Sequence, residues 1–226
     1  DSIVCATPFI HNKFSKINNK SFCVRNFPPS EELFIDDEAV LLDEQRVSIF
    51  KILYVGVISE ERSIIKILDS IKNIDCELTL GGNFSPPSLQ KICEEHESWK
   101  KVRYLGFIDR LVFAKVLNES DVGILLFQPL KNHIDALPNK MFEYMAGGLF
   151  QISSNFKEWK VLVEGNSIGI TIDPEDSKML TKTLIELQKN KSHLQNMRSN
   201  IRRIYMKNFT WDKEKFELLK AFDIDG

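Results

Sequence analysis

Ile49-Phe50-Lys51-Ile52-Leu53-Tyr54-Val55-Gly56 is an apolar run broken only by Lys51 and stopped by a glycine. Such a run reads as a strand buried on both faces, the kind that parallel sheets contain. Downstream, Ile64, Ile65, Ile67, Leu68 and Ile71 recur at helical spacing, and Cys76 to Leu80 is a second strand ending at Gly81-Gly82. The alternation then repeats. Helices are expected at 86–97, 110–118, Pro138 to Ala146 and 156–163. Strands are expected at 101–105, Val122 to Phe127, Leu149 to Ser153 and Ile168 to Ile172, with a long loop after Phe127. Strands separated by helices of this length predict βαβ units and a parallel sheet. Right-handed crossovers leave few topologies. The expected fold is α/β, a doubly wound Rossmann-like sheet of about six strands.

The flanks differ from this centre. Residues 1–34 offer two short strands, Ile3 to Ala6 and Phe22 to Arg25, the second stopped by Asn26-Phe27-Pro28-Pro29. Two prolines in a row remove two donors and end any ladder. Residues 35–48 sit in an acidic stretch with Asp36, Asp37, Glu38, Asp43 and Glu44, expected as an exposed connector. The last fifty residues are helical in pattern. Leu180, Leu184, Ile185 and Leu187 form one stripe and Ile201, Ile204 and Tyr205 another. A final helix at 209–226 follows the candidate N-cap Thr210.

The chain has 226 residues, 43% hydrophobic and 27% charged, which argues against wholesale disorder. Thirty basic residues against 32 acidic ones give a net charge of −2, so no nucleic-acid partner is expected. No apolar run approaches the roughly 20 residues of a membrane span. Cys5, Cys23, Cys76 and Cys93 have no C-x-x-C spacing and are expected as reduced thiols. The first residue is Asp1 and no charged segment precedes a long apolar one, so a fragment of a longer protein without a signal peptide is expected.

Ligands of open α/β sheets bind at the carboxyl ends of the strands. The first such end, Gly56-Val57-Ile58-Ser59, is not G-x-G-x-x-G. No G-x-x-x-x-G-K-[ST] and no G-x-S-x-G occur either. His11, His96, His133 and His193 lack metal-ligand spacing. The informative segment is Asp135-Ala136-Leu137-Pro138-Asn139-Lys140-Met141-Phe142-Glu143-Tyr144-Met145-Ala146-Gly147-Gly148. Pro138 is expected as the first helical residue. The amides of Asn139 and Lys140 would then be unpaired and face the crevice, an anion site reinforced by the helix dipole and by Lys140. Asn139, Lys140 and Glu143 can share one face. Glu143, one turn behind, could accept hydrogen bonds from a ribose diol. Met141, Phe142 and Met145 are expected on the buried side. An ordinary helix with a proline start, a glycine stop and a surface Lys140–Glu143 pair explains the same residues.

The ordered set of segments goes further. Residues 49–222 resemble the C-terminal, donor-binding domain of GT-B retaining glycosyltransferases of the family 4 type. The segments that carry this are Leu53-Tyr54-Val55-Gly56 with Arg62 downstream, Val102-Arg103-Tyr104-Leu105-Gly106-Phe107-Ile108, and Ser120-Asp121-Val122-Gly123-Ile124-Leu125-Leu126. With them go Leu137 to Gly148, Gly169-Ile170, Asp173-Pro174-Glu175-Asp176 and Phe209-Thr210-Trp211. The P-N-K-x-F-E-Y-M-A form is similar to the branch that builds bacterial surface polysaccharides. Residues 1–34 resemble the last strand, helix and strand of that family's N-terminal domain with its hinge. The final helix is expected to cross back to that domain, most of which, with the acceptor site, lies elsewhere.

The resemblance implies transfer of a sugar from a nucleotide sugar, UDP favoured over GDP, to a polysaccharide or lipid-linked acceptor, with retention at the anomeric carbon. It implies no cofactor and no metal, and a cytoplasmic protein at or near the inner face of the plasma membrane. Of the family's acidic pair E-x7-E, the second member is Glu143, assigned to the ribose hydroxyls. The first position holds Asp135, one methylene shorter. The family's arginine after the first strand is here Val57, and its lysine is Arg62. Lys140 is expected to make up the lost charge. Arg62 and Lys140 are thus the implied catalytic residues, stabilising the departing diphosphate. Gly56, Gly82, Ile108, Asp135, Leu137, Pro138, Asn139 and Glu143 are the implied donor contacts, with the base near Gly106 to Ile108. A nucleotide-sugar-binding module without transferase activity, and a GT-B epimerase of UDP-sugars, are the competing readings. Residues 178–220 carry eleven lysines and arginines against Glu186, Asp212, Glu214 and Glu217. A surface touching anionic lipid and a merely solvated helical face both account for this.

Overall fold

The structure, a computed structural model, describes residues 1–29 and 49–222. The connector expected at 35–48 lies outside them. At the start, the short strands β1 (Ile3–Cys5) and β2 (Ser21–Cys23) pair in parallel around the helix Pro8–Phe14. Thr7 caps that helix, its hydroxyl accepting from the Ile10 amide at 3.2 Å.

The main sheet has six parallel strands. They are β3 (Phe50–Val55), β4 (Cys76–Gly81), β5 (Val102–Gly106), β6 (Val122–Leu125), β7 (Phe150–Ser154) and β8 (Gly169–Ile172). Their order is β5-β4-β3-β6-β7-β8, so the chain winds outward from β3, returns to its other side and winds outward again. The reversal between β3 and β6 opens a crevice at the carboxyl ends of those two strands.

The opening run of the sequence explains this centre. In β3, Phe50, Ile52 and Tyr54 enter the core on one side of the sheet, and Leu53 and Val55 enter the core on the other. The two-residue period of a strand turns one apolar run into two buried faces. Helices Ile64–Ser70, Leu89–Glu94 and Ser177–Lys189 cover the first face. Helices Arg110–Glu119, Asn139–Ala146, Lys157–Val163 and Lys191–Asn208 cover the second.

Several expected boundaries shift for local reasons. β6 stops at Leu125 instead of Phe127, because the Phe127 amide and carbonyl are both bonded to the Ser154 hydroxyl at 2.8 Å. The helix expected over 86–97 is reduced to Leu89–Glu94, since Pro86 and Pro87 lead in through turns. The loop after β6 contains a one-turn helix, Lys131–Ile134. Four residues are too few to show a period.

The final helix, Trp211–Ala221, does return to the amino-terminal pair of strands. Buried Glu214 accepts from the Arg25 backbone amide at 2.7 Å and pairs with its guanidinium at 2.6 Å. Phe27 of the hinge packs against Phe142 and Phe209, with ring centroids at 4.4 and 5.6 Å. The Tyr205 hydroxyl donates to the Pro28 carbonyl at 2.9 Å. Part of the basic carboxyl-terminal stretch is used inside the fold. Arg198 donates to the carbonyls of Ser120, Leu117 and Gly147, and Lys191 pairs with Asp121 at 3.0 Å. Burial pushes the Cys76 and Cys93 thiols up to about 11. Among the described residues no helix is long and apolar enough to cross a membrane.

Candidate functional site

Two groups of side chains meet the crevice, one on the loop after β3 and one on the helix Asn139–Ala146. On the first, Gly56 leaves β3 and its amide donates to the Gly81 carbonyl at 2.9 Å. Gly82 lies so close that a Cβ on it would stand 1.8 Å from the Gly56 carbonyl oxygen, and its φ is +134°. Only glycine permits that approach. The Tyr104 hydroxyl donates to the Gly82 carbonyl at 3.2 Å. The half-buried Ile108 folds over the end of β4 against Gly81.

The turn Glu60–Arg62 follows. The Arg62 guanidinium lies 4.3 Å over the Phe127 ring, a favourable cation–π contact. It also lies beside the Tyr54 hydroxyl, which donates to the Val57 carbonyl at 2.5 Å. Burial pushes the Tyr54 phenol up from its ordinary value, and Arg62 opposes that rise. The turn is held from the β6 side as well. The Gln128 amide donates to the Glu61 carbonyl at 2.8 Å, and its side chain donates to the Ser63 hydroxyl at 2.9 Å. Buried His133 braces the same loop, its Nδ1 3.0 Å from the Gln128 carbonyl oxygen. A cavity of about 640 Å³ opens beside this turn, lined by Glu60, Glu61, Lys66, Gln128 and Leu130 among others.

On the helix, Pro138 stands one position earlier than expected, as the N-cap with φ −64° and ψ 137°, so the helix begins at Asn139. A proline φ suits either position, but its extended ψ places Pro138 outside the helix. Its carbonyl accepts from the Met141 amide at 3.0 Å. The amides of Asn139 and Lys140 have no hydrogen-bond partner among the described residues. Met141, Phe142 and Met145 are buried as expected.

Glu143 is only 5% exposed. Its two oxygens each hold a cation. Oε2 accepts from the Lys140 ammonium at 2.5 Å, and Oε1 from the Arg110 guanidinium at 2.5 Å. The charge of Lys140 is therefore met by Glu143, and the expectation that it replaces a cation lost at Val57 finds no separate support in this arrangement. Asn139 is exposed and Leu137 is half-buried against the second core. Asp135 ends the one-turn helix, half-buried, with no hydrogen bond or ion pair to a described residue. It is brought to neither group.

The two groups are joined through the neighbours of Gly56 and Glu143. The Tyr144 hydroxyl accepts from the Val55 amide at 3.2 Å. Its ring packs against β6 where Gly123 has no side chain, and a Cβ there would meet it at 2.4 Å. The sequence reading missed Arg110, Phe113, Phe127 and Tyr144. Arg110 carried a signal. A cation in the first turn of a helix is disfavoured by the dipole and calls for an anionic partner elsewhere. Among the described residues no three His, Cys, Asp or Glu side chains gather as a metal site.

The unpaired amides at the helix start can accept an anion, and the Glu143 carboxylate can accept hydrogen bonds from hydroxyls. The fold is shared with solved structures. Sucrose-phosphate synthase from Thermosynechococcus elongatus superposes with a TM-score of 0.80 at 15% identity, over 99% of this chain and 58% of that one. Anabaena HepE in complex with UDP and glucose gives 0.75 at 13%, over 98% and 63%. A glycosyltransferase from Rickettsia africae gives 0.78 at 13%, over 98% and 62%. This chain therefore spans about three-fifths of the length of those proteins. At such identities the likeness shows the fold, that of a GT-B Rossmann-like domain. No curated protein matches the chain. The model of the family described as glycosyl transferases group 1 matches residues 45–204, which is more than half of the sequence, and the chain belongs to that family.

Proposed function

We propose that the chain is the donor-binding part of a retaining glycosyltransferase of the family 4 type. It takes a sugar from a nucleotide sugar, UDP favoured over GDP, and passes it to a polysaccharide or lipid-linked acceptor held by residues outside this chain. The observation that carries the proposal is the buried Glu143 carboxylate one turn behind the unpaired amides of Asn139 and Lys140, at the crevice between β3 and β6. A ribose diol fits the first feature and a diphosphate the second. The preference for UDP draws support from the Anabaena HepE complexes with UDP and UDP-glucose, which share the fold.

Under this proposal the chemistry is electrostatic. As the bond from the anomeric carbon to the diphosphate oxygen breaks, its electron pair stays on the diphosphate. The growing charge meets the helix-start amides and Arg62, which has no carboxylate partner among the described residues. Groups already aimed at the developing charge need no reorganisation. The Tyr54 bond and the Phe127 ring hold the Arg62 turn in place before substrate arrives.

In the full-length protein, Arg62→Ala is expected to lower kcat by about 10²–10³-fold, the usual cost of one such donor. The anomeric configuration of the product, read by NMR, tests retention. An unchanged kcat removes Arg62 from the mechanism. Saturable nucleotide binding with no turnover of any donor by the full-length protein identifies a binding module instead.

A further inference from the structure

Arg110 is the residue that reaches Glu143 from a different element. Asp109 caps the helix Arg110–Glu119, its carboxylate accepting from the Val112 amide at 2.8 Å, and so fixes Arg110 as the first helical residue. From there Arg110 spans from the loop after β5 to the helix Asn139–Ala146. The face of buried Phe113 lies beneath both cations, 4.7 Å from the Lys140 ammonium and 5.9 Å from the Arg110 guanidinium. Each carboxylate oxygen has two lone-pair directions. With one direction on Oε1 taken by Arg110 and one on Oε2 by Lys140, the carboxylate plane is set. One acceptor direction remains on each oxygen, a spacing that suits two adjacent hydroxyls. Lys140 alone, on the same helix as Glu143, leaves Oε1 without a fixed direction.

We infer that Arg110 is a positioning residue which orients Glu143 so that it reads both ribose hydroxyls, making the site selective for ribonucleotides over 2′-deoxyribonucleotides. The inference rests on the donor-site proposal above. Arg110 acts through Glu143, so its loss affects the part of the affinity that depends on the diol and spares the part carried by base and diphosphate.

The test compares UDP with 2′-deoxyuridine diphosphate by calorimetry on the wild-type chain, Arg110→Gln and Arg110→Lys. The Arg110 side chain is 47% exposed, so neither substitution opens the core. The wild type is expected to prefer UDP by roughly tenfold or more, the value of one hydrogen bond to a charged group. Arg110→Gln is expected to bring that preference below about threefold, mostly by weakening UDP. Arg110→Lys, which keeps the charge, is expected to retain most of it. An Arg110→Gln variant that keeps the full preference overturns the inference alone, as does one that weakens both nucleotides equally. A wild-type chain that binds neither nucleotide, or binds both alike, removes the diol reading of Glu143 and this inference with it.

Discussion

Gly82 and Gly56 meet backbone to backbone at the base of the crevice, and the site depends on that contact. A methyl group on Gly82 would stand 1.8 Å from the Gly56 carbonyl oxygen, against backbone and not against a side chain that could turn away. The φ of +134° adds strain for any residue with a Cβ. Gly82→Ala is therefore expected to destabilise by roughly 2–3 kcal/mol, the range of a backbone outlier plus a forced shift. For a chain of this size that is a drop of about 5–10 °C in Tm. A thermal melt within 1 °C or so of the wild type would show that the two loops separate freely and are not a fixed floor for the ligand. Tyr144 shows the same dependence on a missing side chain. Its ring occupies the space over Gly123, and its hydroxyl satisfies the Val55 amide, a buried donor that would otherwise cost about 1–3 kcal/mol.

At the scale of elements, a buried ion pair helps to dock the final helix on the amino-terminal strands. Glu214 is 2% exposed and takes both an amide and a guanidinium from Arg25. Removing Arg25 leaves a buried carboxylate with the amide alone, whereas neutralising Glu214 leaves a partly exposed arginine that water can reach. Arg25→Ala is expected to cost roughly 2–3 kcal/mol, somewhat under the usual figure for breaking a buried pair because Arg25 is itself partly solvated. Glu214→Gln is expected to cost clearly less. Urea unfolding of the two variants checks the order, and the reverse order would mean that the charge of Glu214 is not what docks the helix. Elements of this kind were legible to different degrees. β3 could be read because both its faces are covered, which leaves a nearly unbroken apolar run. The helix Asn139–Ala146 could be read because proline and glycine mark its ends. The one-turn helix Lys131–Ile134 could not, since it has no period. The bond from Arg110 to Glu143 joins positions 33 residues apart that meet only after a strand–helix crossover. Sequence spacing along one helix pointed to Lys140 but could not point to Arg110. Asp135 illustrates the converse, a position that the family resemblance marks and that the structure joins to neither group at the crevice.

For the whole molecule, the fold brings a cationic turn, two unpaired amides and a carboxylate to the point where the strand order reverses. The central claim is that these form a nucleotide-sugar donor site. The carboxylate gives the sharpest way to test it, because two opposing effects carry opposite signs. Glu143→Ala removes the acceptor for the ribose diol, and it also removes the negative charge that Arg110 and Lys140 share. If the site merely attracts anions, removing a buried negative charge tightens the binding of a nucleoside diphosphate. If Glu143 holds the ribose, affinity falls by roughly 1.5–3 kcal/mol despite the loss of that negative charge. The measurement is a calorimetric titration of the chain with UDP, GDP and ADP, wild type beside Glu143→Ala. The account predicts saturable binding of UDP, weaker binding of the other two, and a loss of about 10–150-fold in the variant. Binding of UDP that is unchanged or tighter in Glu143→Ala would contradict it.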